Sequence, residues 1–164
     1  MIILPDSLSI NKEPYRPRTA DEDETHDLYS KLVHAWNHQD ATAFSALFSK
    51  NGIAIGFDGT QLIGQKDIDA AVNNIFHDHL TATYVTKVRD IRSVTKDVML
   101  LRAVVGMISP GEYDVNPSMN AVQTMLSFKG VEGWQVVLFQ NTPAKYDGRP
   151  EAQEELTKEL RELI

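Results

Sequence analysis

From Thr19 onward the apolar positions follow a helical period. Leu28, Leu32, Ala35 and Trp36 fall on one face, and Thr19 with Glu22 forms a capping box ahead of them. Asp21, Glu22, Asp23 and Glu24 stand where the helix dipole favours negative charge, so this acidic run reads as a helix start rather than a metal cluster. Asp40 caps a second, shorter helix with the stripe Ala43, Phe44, Leu47 and Phe48, and Asn51-Gly52 supplies a left-handed stop. A strand over Gly52–Phe57, a tight turn at Asp58-Gly59 and a return over Gln61–Gly64 make a hairpin. Ile68, Val72, Ile75 and Phe76 then mark a third helix that runs to about Leu80.

Beyond Thr81 the period shortens to two and β-branched residues accumulate. Strands are predicted over Thr81–Ser93, Val98–Ile108, Met119–Lys129 and Trp134–Thr142, forming an antiparallel meander. A loop around Ser109-Pro110-Gly111 and Asn116-Pro117 separates the second from the third. Pro150 opens a last amphipathic helix with Ala152, Leu156, Leu160 and Leu163 on one side and Glu154 paired to Lys158. Residues 1–18 carry Pro5, Pro14 and Pro17 without an apolar period and read as an N-terminal arm before a domain spanning 19–164.

The last hairpin turns at Val131-Glu132. Placing Phe128 opposite Trp134 puts Asn120, Val122, Thr124 and Leu126 on one face with Val136, Leu138, Gln140 and Thr142. This face is expected to meet the helices, with Asn120, Thr124, Gln140 and Thr142 as polar groups toward a pocket. Gln123, Met125, Val137, Phe139 and Asn141 would lie on the other face, which is too apolar to stand uncovered. Gln123 and Asn141 would then serve an interface, or the pocket if the register is shifted by one.

FDGT (Phe57–Thr60), NAVQT (Asn120–Thr124), GWQVVLFQNTP (Gly133–Pro143) and GRPEA (Gly148–Ala152) resemble the SgcJ/EcaC group of SnoaL-like proteins, within the nuclear-transport-factor-2-like (NTF2-like) superfamily. The resemblance spans roughly residues 20 to 160. It implies an α+β cone in which a strongly curved, mixed but mostly antiparallel sheet wraps about three N-terminal helices, followed by a C-terminal helix. It also implies a homodimer through the outer sheet face, a pocket bordered by the end of helix one, and the label "oxidoreductase" in a setting partly of natural-product gene clusters.

Composition narrows the function classes. The chain has 164 residues, 42% of them hydrophobic, which suits one small domain with a sizeable core. Sixteen Lys and Arg against 23 Asp and Glu leave a formal charge of -7, which works against nucleic acid and anionic membranes as partners. Without Cys there is no disulfide framework, thiolate nucleophile or Cys-based metal site. The apolar part of MIILPDSL is too short for a signal peptide, so a cytoplasmic location is expected.

Candidate chemistry is sparse. His34 and His38 have the i, i+4 spacing of paired metal ligands, but Ala35 stands where a zinc protease has its Glu, and a surface pair is the simpler reading. His77, Asp78 and His79 point about 100° apart in succession on a helix, so at most one faces a pocket. His77 is retained as a catalytic candidate, as is Asp58, although an Asp-Gly turn accounts for Asp58 without chemistry. No GxSxG elbow, Walker A loop or GxGxxG motif occurs, and no cofactor or metal is expected.

Ketosteroid isomerases, which resemble the expected fold, use a helix-one Tyr and a strand-one Asp. Aligned on Asp40, this chain has Leu32 and Gly56 there, and neither transfers a proton. The expected function is therefore a homodimeric domain binding a small apolar or aromatic metabolite. Its ligand-binding candidates are Trp36, Phe57, Phe76, Met107, Asn120, Thr124, Gln140, Asn141 and Gln123. One alternative is a cofactor-independent enzyme of proton transfer or oxygenation. The other is a dimerisation module whose cavity is filled by Trp36, Phe57, Phe76 and Met107.

Overall fold

The computed structural model describes residues 17–164, and the expected arm lies outside them except for the exposed Pro17 and Arg18. Helix α1 (Ala20–Asn37) starts as the capping signal predicts, with the Thr19 hydroxyl accepting from the Glu22 N–H at 3.2 Å. It buries Leu28, Tyr29, Leu32 and Ala35. Asp40 caps α2 (Ala41–Ala46) by accepting from the Ala43 N–H at 2.9 Å.

Here the expected elements shift. Leu47 and Phe48 do not continue the helix; β1 runs over Phe48–Ile55, because its backbone is claimed by a parallel neighbour whose Val136 N–H donates to Leu47 O at 2.8 Å. Asn51-Gly52 is accordingly no left-handed stop, since neither residue has a positive φ. Gly52 is required instead by close approach: a β-carbon there would lie 2.8 Å from Val136 O. The hairpin to β2 (Gln61–Ile63) forms as expected, with Gly59 at φ 90°.

Helix α3 spans Gln65–Asp78, two residues short of the expected end, and buries Ile68 and Val72. The meander follows as β3 (Thr83–Thr95), β4 (Val98–Ile108), β5 (Ala121–Gly130) and β6 (Gly133–Pro143), with a 3-10 turn at Pro117–Met119. The six strands lie in the order β2-β1-β6-β5-β4-β3, parallel only between β1 and β6. Helices α1 to α3 pack on one face, where Phe44, Phe48, Leu101, Met125 and Phe139 join the core. Helix α4 (Pro150–Arg161) lies on the opposite face, where Leu156 and Leu160 meet Val104 and Val115.

The assignment of faces in the last hairpin requires correction. Lys129, not Phe128, is opposite Trp134, and a bulge between Leu126 and Ser127 shifts the register once more. Two one-residue shifts restore the parity, so Thr124 still shares a face with Leu138 and Gln140. That face, however, is turned away from the three N-terminal helices. Met125 and Phe139 lie under those helices at 0% and 6% exposure, with Gln123 and Asn141 beside them, so they form no outer surface. Val136 and Trp134 cross over, because beyond the bulge they pair with Ser127 and Lys129 and join the core under the helices.

Candidate functional site

A cavity of about 620 Å³ opens between the end of α1, α3, the β1–β2 hairpin and the inner sheet face. That volume falls in the range of small-molecule sites, roughly 300–1,000 Å³. Its wall is mainly apolar, with Trp36, Phe44, Phe57, Tyr84 and Phe139 as its aromatic members. The Trp36 ring stacks on Tyr84 with centroids 5.2 Å apart and 11° between planes, meets Phe76 edge-on at 5.1 Å and lies 5.9 Å from Phe44. Phe139, Met107 and Phe57 continue the lining.

This wall is fixed by hydrogen bonds. Trp36 Nε1 donates to Ala82 O at 3.1 Å, which satisfies the indole while leaving its ring face to the cavity. Asn37 clamps the backbone of Tyr84 from both sides, donating to its carbonyl at 3.0 Å and accepting from its N–H at 2.8 Å. The start of β3 is thus tied to the last turn of α1, and Tyr84 is held beside Trp36.

The polar groups reaching the cavity from the sheet belong to Asn141 and Tyr84. They are connected inward. Tyr29 Oη donates to Gln123 Oε1 at 2.5 Å, Gln123 Nε2 to Asn141 Oδ1 at 3.4 Å, and Asn141 Nδ2 to Tyr84 Oη at 3.5 Å. Tyr29, Gln123 and Asn141 are all nearly inaccessible. Burial pushes both tyrosine hydroxyls well above the ordinary phenol range, so they stay protonated at neutral pH.

The expected site residues separate into groups. Trp36, Phe57, Met107 and Asn141 lie in the cavity wall; Gln123 sits directly behind Asn141, its cross-strand partner, and Phe76 supports the Trp36 ring. Thr124 and Gln140 are on the outer face, where Gln140 Nε2 donates to Thr142 Oγ1 at 3.3 Å. Asn120 is buried against α4 and donates to Thr157 Oγ1 at 2.8 Å. The corrected faces explain all three displacements.

Of the proton-transfer candidates, Asp58 borders the cavity, but its carboxylate accepts from the Thr60 N–H at 2.9 Å. Those hydrogen bonds to Thr60 hold its pKa below the usual carboxylate range, which makes it a weaker base. His77 points away from the cavity lining, 87% exposed and 3.0 Å from the Asp78 carboxylate. His79, two residues on, reaches the cavity mouth instead. His34 and His38 stack on each other at 3.9 Å on the surface. Among the described residues no group of three or more His, Cys, Asp or Glu is placed to hold a metal ion.

Sequence reasoning missed Tyr29, Tyr84 and His79 at this site. Tyr29 had a signal, for it stands seven residues before Trp36 and therefore on the same side of α1. Tyr84 had none, because its importance depends on the Asn37 clamp.

No protein-family model matches the chain, and no curated protein does. Solved structures do. A domain of unknown function with a cystatin-like fold from Nostoc punctiforme is 28% identical, with a TM-score of 0.74 over 90% of this chain and 98% of that one. A proposed dehydratase of the NTF2-like family from Streptomyces avermitilis has a TM-score of 0.63 at 16% identity, covering 76% of this chain and 97% of its own. A ketosteroid isomerase-like protein from Erwinia carotovora atroseptica has a TM-score of 0.61 at 14% identity, covering 78% and 99%. The architecture is the NTF2-like cone, α+β with a mixed six-stranded sheet and a C-terminal helix. No helix among the described residues is long and apolar enough to cross a membrane.

Proposed function

We propose that this chain is a homodimeric small-molecule-binding domain of the SgcJ/EcaC group, taking an apolar or aromatic metabolite in the cavity beside Trp36. The observation carrying this reading is the cavity itself, about 620 Å³ and walled by apolar and aromatic side chains, with Asn141 and Tyr84 as polar contacts from the sheet and Asp58, Thr60, Asn74, His79 and Thr81 around the rest of its lining. The same volume weighs against a cavity filled by its own side chains. Trp36 is stacked back on Tyr84 and Phe76 rather than across the space.

Catalysis by proton transfer has weaker support. Asp58 is engaged by its own turn, Tyr84 is held protonated, and His79 is exposed at the mouth. The names of structural neighbours, a proposed dehydratase and an isomerase-like protein, keep cofactor-independent chemistry as the second reading.

The experiment uses the two tryptophans. Trp134 has a buried indole N–H with no hydrogen-bond partner among the described residues, so Trp134→Phe leaves Trp36 as the sole indole reporter without breaking a hydrogen bond, and the larger part of its core packing is kept by the Phe ring. Titration with naphthalene derivatives should quench that emission saturably. Linear, unsaturable quenching would exclude a binding site beside Trp36.

For the dimer, the outer face presents a row of aliphatic residues in register across five strands: Ile63, Ile53, Leu138, Leu126 and Leu100. Ile63 is 59% exposed and the others half-buried. Helix α4 covers the neighbouring part of this face but not the row. A second copy laid across it would bury apolar surface that otherwise faces water.

A further inference from the structure

The buried hydrogen bonds behind the cavity run in one direction. At 2.5 Å the contact from Tyr29 to Gln123 suits an O–H···O bond and is too short for N–H···O, so Tyr29 donates and Gln123 Oε1 accepts. That fixes the Gln123 amide with its Nε2 toward Asn141, which must then offer Oδ1. The Asn141 amide is oriented in turn, with Nδ2 toward Tyr84 Oη. Tyr84 therefore receives a hydrogen from Asn141 and keeps its own O–H hydrogen to give. The second N–H of Asn141 is also left over.

Both residues line the cavity. We infer that its polar end is a hydrogen-bond donor site, set by the relay Tyr29–Gln123–Asn141–Tyr84, and that it selects apolar ligands carrying a carbonyl or other acceptor over those offering a donor. This rests on the binding function proposed above and narrows its ligand class. Burial of the phenol supports it, because Tyr84 does not surrender its proton at neutral pH. A donor-only ligand would place hydrogen against hydrogen here, leaving buried groups unsatisfied. Tyr29 and Gln123 touch no ligand in this scheme; they are positioning residues that orient the Asn141 amide.

Three naphthalenes of similar size test it: 2-acetylnaphthalene, which only accepts; 2-isopropenylnaphthalene, which has the same shape and no polar group; and 2-naphthol, a strong donor whose oxygen accepts more weakly than a ketone. Dissociation constants are read from Trp36 emission in the Trp134→Phe protein. The ketone should bind about tenfold more tightly than the isopropenyl compound, the ratio expected for one satisfied buried hydrogen bond, and more tightly than the naphthol. Tyr84→Phe and Asn141→Leu should each bring that ratio toward one. Tyr29→Phe should lower it while leaving the isopropenyl affinity unchanged, an effect that general loosening would not produce.

A ratio near one in the Trp134→Phe protein, or tightest binding by the naphthol, overturns the donor assignment and leaves the binding function standing. A ratio unaffected by both Tyr84→Phe and Asn141→Leu also overturns it. Failure of all three compounds to bind overturns the donor assignment and the binding function together.

Discussion

Gly52 admits no β-carbon, because the Val136 carbonyl would sit 2.8 Å from it and backbone cannot swing aside as a side chain can. Gly52→Ala should therefore destabilise the fold by about 1–3 kcal/mol, in the range of overpacking, as read from the urea midpoint. Asp58→Asn should do little, since an amide oxygen can still accept from the Thr60 N–H, and ligand affinity should remain within about twofold. A larger loss would return Asp58 to the site as a charged contact. At this scale the sequence was legible where a residue's role is mainly size and polarity. Trp36, Phe57 and Met107 line the cavity for the reasons that make them apolar core candidates. Tyr84 was not legible in that way, because a hydrogen-bond relay exists only once four elements, α1, β3, β5 and β6, have been brought together.

Helix α4 is held to β3 by charge as well as by Leu156 and Leu160. The Glu159 carboxylate accepts from Arg89 and lies 2.9 Å from Lys87 Nζ, and these contacts, Arg89 first, hold its pKa down to about 2 from 4.5. A carboxylate depressed in the folded state stabilises fully above its unfolded value and loses that contribution as pH falls toward the folded one. Glu159→Gln should thus cost on the order of 1 kcal/mol at pH 7, discounted for the solvent around Arg89 and Lys87. The difference from the unsubstituted protein should shrink below about pH 4.5 and vanish near pH 2. A difference independent of pH would assign the effect to packing. The elements themselves were readable from period and caps, with two exceptions. Leu47 and Phe48 continue the helical stripe of α2, yet the helix closes at Leu47 and the parallel neighbour takes Phe48 into a strand, and no local pattern announces a partner 88 residues away at Val136. The Leu126/Ser127 bulge is likewise invisible in sequence, since alternation alone does not say which of two half-apolar faces the helices will choose.

At the scale of the whole molecule, the outer row from Ile63 to Leu100 predicts the assembly. The protein should behave as a dimer at micromolar concentration by light scattering, with about 1,200–2,000 Å² buried in total. Leu138→Lys, placed mid-row beside Ile53 and Leu126, should yield a folded monomer. A monomeric unsubstituted protein would remove the outer face as an interface. This replaces the surface expected from sequence, where Met125 and Phe139 had been assigned outward. The cone itself was legible, because its helix–helix–hairpin–helix opening and four long strands are set by patterns that survive errors of a residue or two.

The parallel pairing of β1 with β6 also dictates an order of events during synthesis. Helices α1 to α3 and the first hairpin leave the ribosome first, but the strand that covers one side of β1 is made only after β3, β4 and β5. Until β6 arrives, Phe48 and Ala54 lack the neighbours Val136 and Phe139 that they have in the finished sheet. The nascent chain therefore holds a ready-made, unpaired strand edge beside exposed aromatic surface while β3 to β5 are made, and the closing step joins segments far apart in sequence. Ribosome-bound chains stopped before Gly133 would be the form of this protein that chaperones grip and that aggregates first.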